Sequence, residues 1–392
     1  MPPSPFLALD LPPPDARDAC DSRALAAQIR AHCAAAGGVI GFDAFMDRAL
    51  YTSGLGYYAA ARSRFGARGD FVTAPEISPR FARCVARQTV QILDAIGGGE
   101  VLEVGAGSGT LAAGVLAALD TLGHAGARYL ILERSAGGRG FQRERLAPFG
   151  DRVHWLDDLP PPGWRGVVLA NELLDALPAR CFILDHGSPR ELGVAAAERG
   201  FGWHAMAPDA ATRAVLDDLL HGRVGELAHG YRGEFAPLRG AFVREIAARL
   251  AAGALLLIDY GYPRRELYHP QRGEGTLACH YRHRVHGDPF WWPGLQDISV
   301  HVDFTAIAEA GTHAGLQLAG YTTQAHFLLA TGLLDGVDDA DLDVAARARL
   351  SGEIRRLILP GELGEAVKVM ALTREVPCAL GGFQGHDLSH RL

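Results

Sequence analysis

The chain has 392 residues, 48% hydrophobic and 21% charged, with a formal net charge of -7. That length and apolar content support a large core with room for two domains, and the acidic balance excludes an overall basic footprint for nucleic acid. The six cysteines (Cys20, Cys33, Cys84, Cys181, Cys279 and Cys378) form no Cys-x-x-Cys pair, which argues against a disulfide scaffold or zinc knuckle and for a reducing compartment, and no apolar run is long enough to span a bilayer.

Residues 1–20 are Pro-rich and carry early acids. They lack the basic and apolar regions of a secretory signal, and the acids argue against a transit peptide. A solvated arm in a cytoplasmic, bacterial protein is the expectation, rather than a mitochondrial one. Helical spacing of Leu25, Ile29 and Cys33 predicts a helix over 22–36, stopped by Gly37 and Gly38. A second short helix is expected over 41–50. Residues 54–81 are irregular, rich in Gly and aromatics, and have the character of a lid or binding loop. Ser78 and Pro79 then start a helix running to Ile96. Residues 21–99 form a helical and lid region ahead of the core.

The stretch 100–111, EVLEVGAGSGTL, organises the rest. Val101, Leu102 and Val104 predict a buried strand, Gly105, Gly107 and Gly109 a tight turn, and 110–120 a helix. A dinucleotide fingerprint requires Gly at its first, third and sixth positions, but Thr110 occupies the sixth. Glycines at one, three and five, with Glu103 two residues before the first, look like the first motif of S-adenosylmethionine-dependent methyltransferases. Strands are expected at 129–135, 152–159, 166–178 and 254–262, separated by helices at 141–149 and 241–253. Two further strands are expected over 316–324 and 365–374. This alternation predicts an α/β, Rossmann-like, doubly wound and mostly parallel sheet over 100–374, with polar groups gathered at strand ends. Residues 182–240 break the pattern and are expected to insert hairpins. Residues 275–304 include a loop of aromatics and polar groups, and both segments are expected to cap the substrate. The insertion is also a candidate dimerisation element, and 375–392 a tail.

Six segments occur in one order: GDFVTAPEIS (69–78), VLEVGAGSGTL (101–111), ANELLDALP (170–178), IDYGYP (258–263), GTLACHYRHRVHGDP (275–289) and GLQDISVHVDF (294–304). Together they resemble the MidA-like methyltransferase family, over roughly 54–374. The resemblance implies a class I methyltransferase fold, S-adenosylmethionine as donor and, in the family's mitochondrial branch, an arginine of a respiratory complex I subunit as acceptor. Ala106 and Ser108 stand where the family often has Pro or Arg. The glycine spacing is kept.

The donor's chemistry assigns roles to the residue types. Gly105, Gly107 and Gly109 admit the donor where a Cβ would collide with it. Glu103 either meets the donor ammonium, directly or through water, or orders the turn. Glu133 is placed for the two ribose hydroxyls, and either Asp157 or Asp158 for the adenine amino group, with Leu156 on the ring. Asp70 and Thr73 shape the loop over the donor. Methyl transfer is an in-line displacement, so alignment is the main task, contributing up to about 7–11 kcal/mol. A guanidinium acceptor needs a carboxylate to grip its N–H groups. Glu172 and Glu76 are candidates, with Asn171 holding donor or acceptor, and Glu172 has the alternative of stabilising a helix N-terminus. Tyr58 lines the acceptor channel or sits in the core. His280, His283 and His286 stand three apart, but Arg282, Arg284 and Pro289 interrupt them. No metal is expected, and a protein acceptor is. The alternative readings are a donor-binding assembly factor with little catalysis, a small-molecule methyltransferase and a nicotinamide oxidoreductase.

Overall fold

The computed structural model describes residues 11–60, 73–336 and 343–392. Helix α1 (Ala16–Ala35) is capped by the Asp15 side chain, which accepts from the Asp18 amide. A short strand, β1 (Val39–Gly41), leads into α2 (Phe42–Tyr51). Beyond the undescribed segment lie α3 (Ala74–Ile77) and the amphipathic α4 (Pro79–Ala95). Ser78 caps α4 and Pro79 opens it, as the sequence pattern requires.

The core then alternates: β2 (Glu100–Val104), α5 (Thr110–Thr121), β3 (Tyr129–Leu132), α6 (Ala136–Leu146), β4 (Val153–Leu156) and β5 (Trp164–Asn171). Strands β6 (Arg180–Asp185), β7 (Ser188–Ala196) and β8 (Phe201–Met206), helix α7 (Ala210–Leu219) and strand β9 (Arg232–Phe235) interrupt it. Helix α8 (Pro237–Arg249) returns the chain to β10 (Leu250–Tyr262). After α9 (Arg264–Leu267) come four short strands: β11 (Ala278–Tyr281), β12 (Arg284–His286), β13 (Asp297–Ser299) and β14 (Val302–Asp303). Then follow α10 (Phe304–His313), β15 (Gln317–Thr323), α11 (Gln324–Ala330), α12 (Val344–Ile358), α13 (Leu363–Ala366) and β16 (Val367–Arg374).

The main sheet has the order β15-β16-β10-β5-β2-β3-β4. Strands β10, β5, β2, β3 and β4 pair in parallel, while β16 runs antiparallel to both β10 and β15. Burial on both faces explains the near-continuous apolar strands. Val101, Val167, Leu169 and Leu256 pack on one face with residues of α4 and α5. Leu102, Val168, Leu255 and Leu257 pack on the other with residues of α8 and α10. The result is the class I Rossmann-like arrangement expected from the strand and helix alternation. The chain builds outward through β2, β3 and β4, then crosses back to β5 and β10. The crevice at the carboxyl ends of β2 and β5 is therefore the switch point at which such sheets bind ligands.

Some local expectations change. The fourth strand ends at Asn171 and not Pro178, because the chain turns at Glu172. Residues 281–304 are not an open loop, since β11 pairs with both β12 and β13. The hairpins of the inserted segment do form, and β7 also pairs with β1, so the N-terminal region and the insertion share one sheet. Phe45 contacts Phe201 and Phe290 at ring separations of 5.6 and 5.2 Å, joining three distant segments in one cluster. No helix among the described residues is long and apolar enough to cross a membrane.

Close strand packing imposes one steric requirement. Gly253 pairs with Gly166 in the β5–β10 ladder, and its φ is +132°. A Cβ at Gly253 would run into the Gly166 carbonyl oxygen. Gly253→Ala is expected to cost roughly 3 kcal/mol through strain and strand displacement. A denaturant titration checks this by the shift in unfolding midpoint at unchanged slope.

Candidate active site

A cavity of about 320 Å³ opens at the switch point, lined by the glycine turn, the ends of β3 and β5, α3 and part of α2. The turn after β2 is strained for anything but glycine. Gly105 has φ +71°, and a Cβ there would lie 2.8 Å from Leu173 Cδ1. The Gly109 amide donates to Ala106 O at 2.7 Å, closing the turn onto α5.

Glu76 holds the turn from outside. Its Oε1 accepts from Ser108 Oγ at 2.5 Å and Thr110 Oγ1 at 2.6 Å, with Arg145 at 3.5 Å. That carboxylate is therefore engaged with the turn, which corrects its placement as a grip on an acceptor: Thr73 and Pro75 line the cavity from α3, and Glu76 does not. Asp70 lies outside the described residues.

Two acids line the cavity beside the glycine turn. Glu103 is 3% exposed, and Tyr129 Oη donates to its Oε2 at 2.6 Å. Burial pushes its pKa up to about 7; the tyrosine bond opposes the rise and Glu133 adds to it. Glu133 stands one residue past β3, and its two oxygens accept from the Ser135 amide at 2.8 Å and Gln142 Nε2 at 3.0 Å. Both acids line the cavity. Asp157 does not. Its side chain is 87% exposed and pairs with Arg139 at 2.8 Å, while Arg139 also donates to Glu133 O and Leu156 O, clasping the ends of β3 and β4. The ion pair with Arg139 draws that carboxylate outward. Neither Asp158 nor Leu156 lines the cavity, whereas Leu159 does.

Glu172 marks the opposite wall. It is a non-glycine residue at φ +48°, a conformation costing roughly 1–2 kcal/mol. Its amide donates to Ile258 O at 2.8 Å, and the next two amides, of Leu173 and Leu174, donate to Asp259 Oδ2 at 3.1 and 2.7 Å. Those bonds over-determine the turn and aim Glu172 into the cavity. Glu172 Oε1 accepts weakly from the Ala74 amide and Asn171 Nδ2, both at 3.4 Å. Burial, and then the nearby Asp259, push the Glu172 pKa up to about 8. Asn171 Oδ1 is buried against the cavity without a partner, an acceptor left over for a ligand.

Behind Glu172 lie Asp175, Asp259 and Asp297. Burial and each other's charge raise Asp175 well above the usual carboxylate range, and burial lifts Asp259 to about 6. Arg239, 5% exposed, opposes this. Its guanidinium donates to the carbonyls of Leu174, Asp175, Val300 and His301, bringing a buried cation beside the acids. Tyr58 Oη donates to Asp297 at 2.7 Å, and Tyr51 Oη to Ala176 O at 2.9 Å. The two rings stack at 5.6 Å on the cavity wall, with Arg134 over Tyr51 at 5.4 Å. Tyr58 thus lines the cavity.

Sequence reading missed Gln142, Arg239 and Tyr51 because each acts through contacts distant in the chain. Asp175, Asp259 and Asp297 sit inside the quoted motifs, which was the available signal. His280 and His286 fall on paired strands and His283 in the turn between them, not on a helix. Among the described residues, the group with metal-ligand proximity is Asp185, His186 and His229, exposed and away from the cavity.

Comparison with known proteins fits this geometry. Residues 84–322 match the family model described as "Putative S-adenosyl-L-methionine-dependent methyltransferase". The chain is 44% identical to a Burkholderia thailandensis protein described as a "likely methyl transferase" and solved with S-adenosyl-homocysteine bound, at a TM-score of 0.90 over 97% of this chain and 100% of that one. A native structure of a Burkholderia thailandensis protein gives 44% identity and a TM-score of 0.88 over the same shares. The Danio rerio mitochondrial protein arginine methyltransferase NDUFAF7 is 26% identical, over 88% of this chain and 87% of its own length. The matched family model covers more than half of the chain, and the glycine turn with its two facing carboxylates fits the cofactor S-adenosyl-L-methionine. The chain belongs to this family of S-adenosyl-L-methionine-dependent methyltransferases.

Proposed function

We propose that the protein transfers a methyl group from S-adenosylmethionine to an arginine side chain of a protein acceptor. The observation that carries this reading is the acidic wall of Glu172, backed by Asp175, Asp259 and Asp297, facing an aromatic channel of Tyr51 and Tyr58. Such a wall suits a planar cation and discourages an anionic or purely apolar acceptor. The similarity to NDUFAF7 supports the same acceptor class.

S-adenosylmethionine supplies an electrophilic methyl on a positively charged sulfur. The glycine turn fixes its position, Glu133 takes the ribose hydroxyls, and Glu103 takes the ammonium end. Glu172 grips the acceptor guanidinium. Its raised pKa leaves it largely protonated in the free enzyme near neutral pH. An arriving cation stabilises the carboxylate form and drives that proton off. Charge is then drawn toward the gripped nitrogens, leaving the attacking one more nucleophilic; its N–C bond forms as the donor's S–C bond breaks, S-adenosylhomocysteine leaves, and the surplus proton of the methylated nitrogen passes to water. Asn171 Oδ1 accepts from the donor or the acceptor, and Tyr51 and Tyr58 hold the guanidinium plane.

Transfer of labelled methyl to arginine-containing protein fractions tests this reading. Glu172→Gln should lower kcat about 10²-fold or more while leaving S-adenosylhomocysteine binding, measured by calorimetry, nearly intact. Transfer by the variant at the parental rate would sink the role of Glu172, and methylated products lacking arginine derivatives would sink the acceptor.

Stability should also carry the signature of these acids. The folded Glu172 keeps a proton up to about 8, against an ordinary value of 4.5 in the unfolded chain. Between those values the folded state binds more protons, so stability falls as pH rises through that window. Glu103, at about 7, adds in the same direction. Thermal melts of the unliganded protein from pH 5 to pH 8 should show a declining Tm, with a shallower decline for Glu172→Gln.

A further inference from the structure

Gln142 is wholly buried, a polar side chain on the inner face of α6. Its amide uses both N–H donors and one lone pair of its oxygen. Nε2 donates to Gly107 O and to Glu133 Oε2, both at 3.0 Å, and Oε1 accepts from Trp155 Nε1 at 2.9 Å. The indole only donates, and the two groups facing Nε2 only accept when Glu133 is ionised. One orientation of the amide satisfies all three, and a flip would set its oxygen against a carboxylate and a carbonyl. Helix α6 brings this side chain directly beneath the turn: Gly109 lies 3.5 Å, measured from an ideal Cβ position, from Gln142 Cα. The Arg143 guanidinium lies 5.4 Å from the Trp155 ring centroid, adding a further contact to the indole.

We propose that Gln142, locked by Trp155, is a positioning residue for the donor: it couples the glycine turn to Glu133 and presents the Glu133 carboxylate to the two ribose hydroxyls. This rests on the reading of Glu133 as the ribose partner. The Ser135 amide and Gln142 each occupy one lone pair of Glu133, one on each oxygen. A carboxylate accepts about four hydrogen bonds, so two sites remain for a cis-diol. With Gln142 absent, the Ser135 amide alone holds Glu133, by one oxygen, and the second oxygen is no longer fixed toward the diol. With Trp155 absent, the amide loses one of the three partners that fix its orientation.

The test compares S-adenosylhomocysteine with its 2′-deoxyribose analogue by calorimetry on the full chain. The parent should prefer the ribose form. Gln142→Leu should weaken S-adenosylhomocysteine binding roughly 10-fold or more, consistent with a lost bond to a charged group, and weaken the deoxy analogue much less. Trp155→Phe keeps the amide and should give the same pattern at a few-fold, so the outcome does not hang on the folding of the first variant. Equal losses for both ligands would mean that Gln142 is merely structural, and would overturn the proposal. So would unchanged discrimination in both variants. A parent that binds neither ligand would overturn the donor site itself, and this inference with it.

Discussion

A single buried carboxylate fixes the geometry of the Glu172 wall of the cavity. Asp259, in the carboxyl-terminal half of β10, accepts from the amides of Leu173 and Leu174, while its other oxygen accepts from the Tyr260 amide. A hydrogen bond to a charged acceptor is worth roughly 1.5–3 kcal/mol, enough to offset the left-handed backbone of Glu172. The turn after β5 is therefore held by its neighbouring strand, and it can point an acid into the cavity where a relaxed turn would not. Asp259 is 1% exposed, so its charge is kept only because these amides and Arg239 surround it.

The donor side follows a different physical plan. There the backbone itself makes the pocket, and side chains serve to hold the backbone. Glu76 ties Ser108 and Thr110 from one flank, and Gln142 ties Gly107 from the other. Helix α3 joins the two halves of the site, since Glu76 holds the turn while the Ala74 amide touches Glu172. A four-residue helix thus contacts both the glycine turn and the Glu172 wall.

Concentrating acids around one cavity has a cost that the fold distributes. Burial raises the proton affinity of Glu172, Asp175 and Asp259, and neighbouring carboxylates add to it for Glu172 and Asp175. Arg239 limits this without a direct carboxylate bond, by satisfying four carbonyls from a fixed position behind the wall. In the proposed reaction, Glu172 would gain its charge as a guanidinium binds, while Asp259 behind it keeps its charge through the amides and Arg239.

The sequence by itself determined the sheet, because strands buried on both faces must be apolar throughout and helices between them must be periodic. It also determined the cofactor turn, since three alternate glycines after such a strand have few other uses. The acids at strand ends, Glu103, Glu133 and Glu172, were legible for the same reason: the carboxyl ends of parallel strands open on one crevice. Only the tertiary structure decided how the remaining groups divide. Asp157 looked equivalent to Glu133 by position, but Arg139, six residues past Glu133, draws it outward. Glu76 looked free for an acceptor until the hydroxyls of Ser108 and Thr110 came within reach. Gln142, Arg239 and Tyr51 carried no local pattern, because their partners lie as far as 125 residues away. Periodicity records what a residue buries, whereas the bonds a buried polar group makes depend on which strands and turns the fold brings beside it.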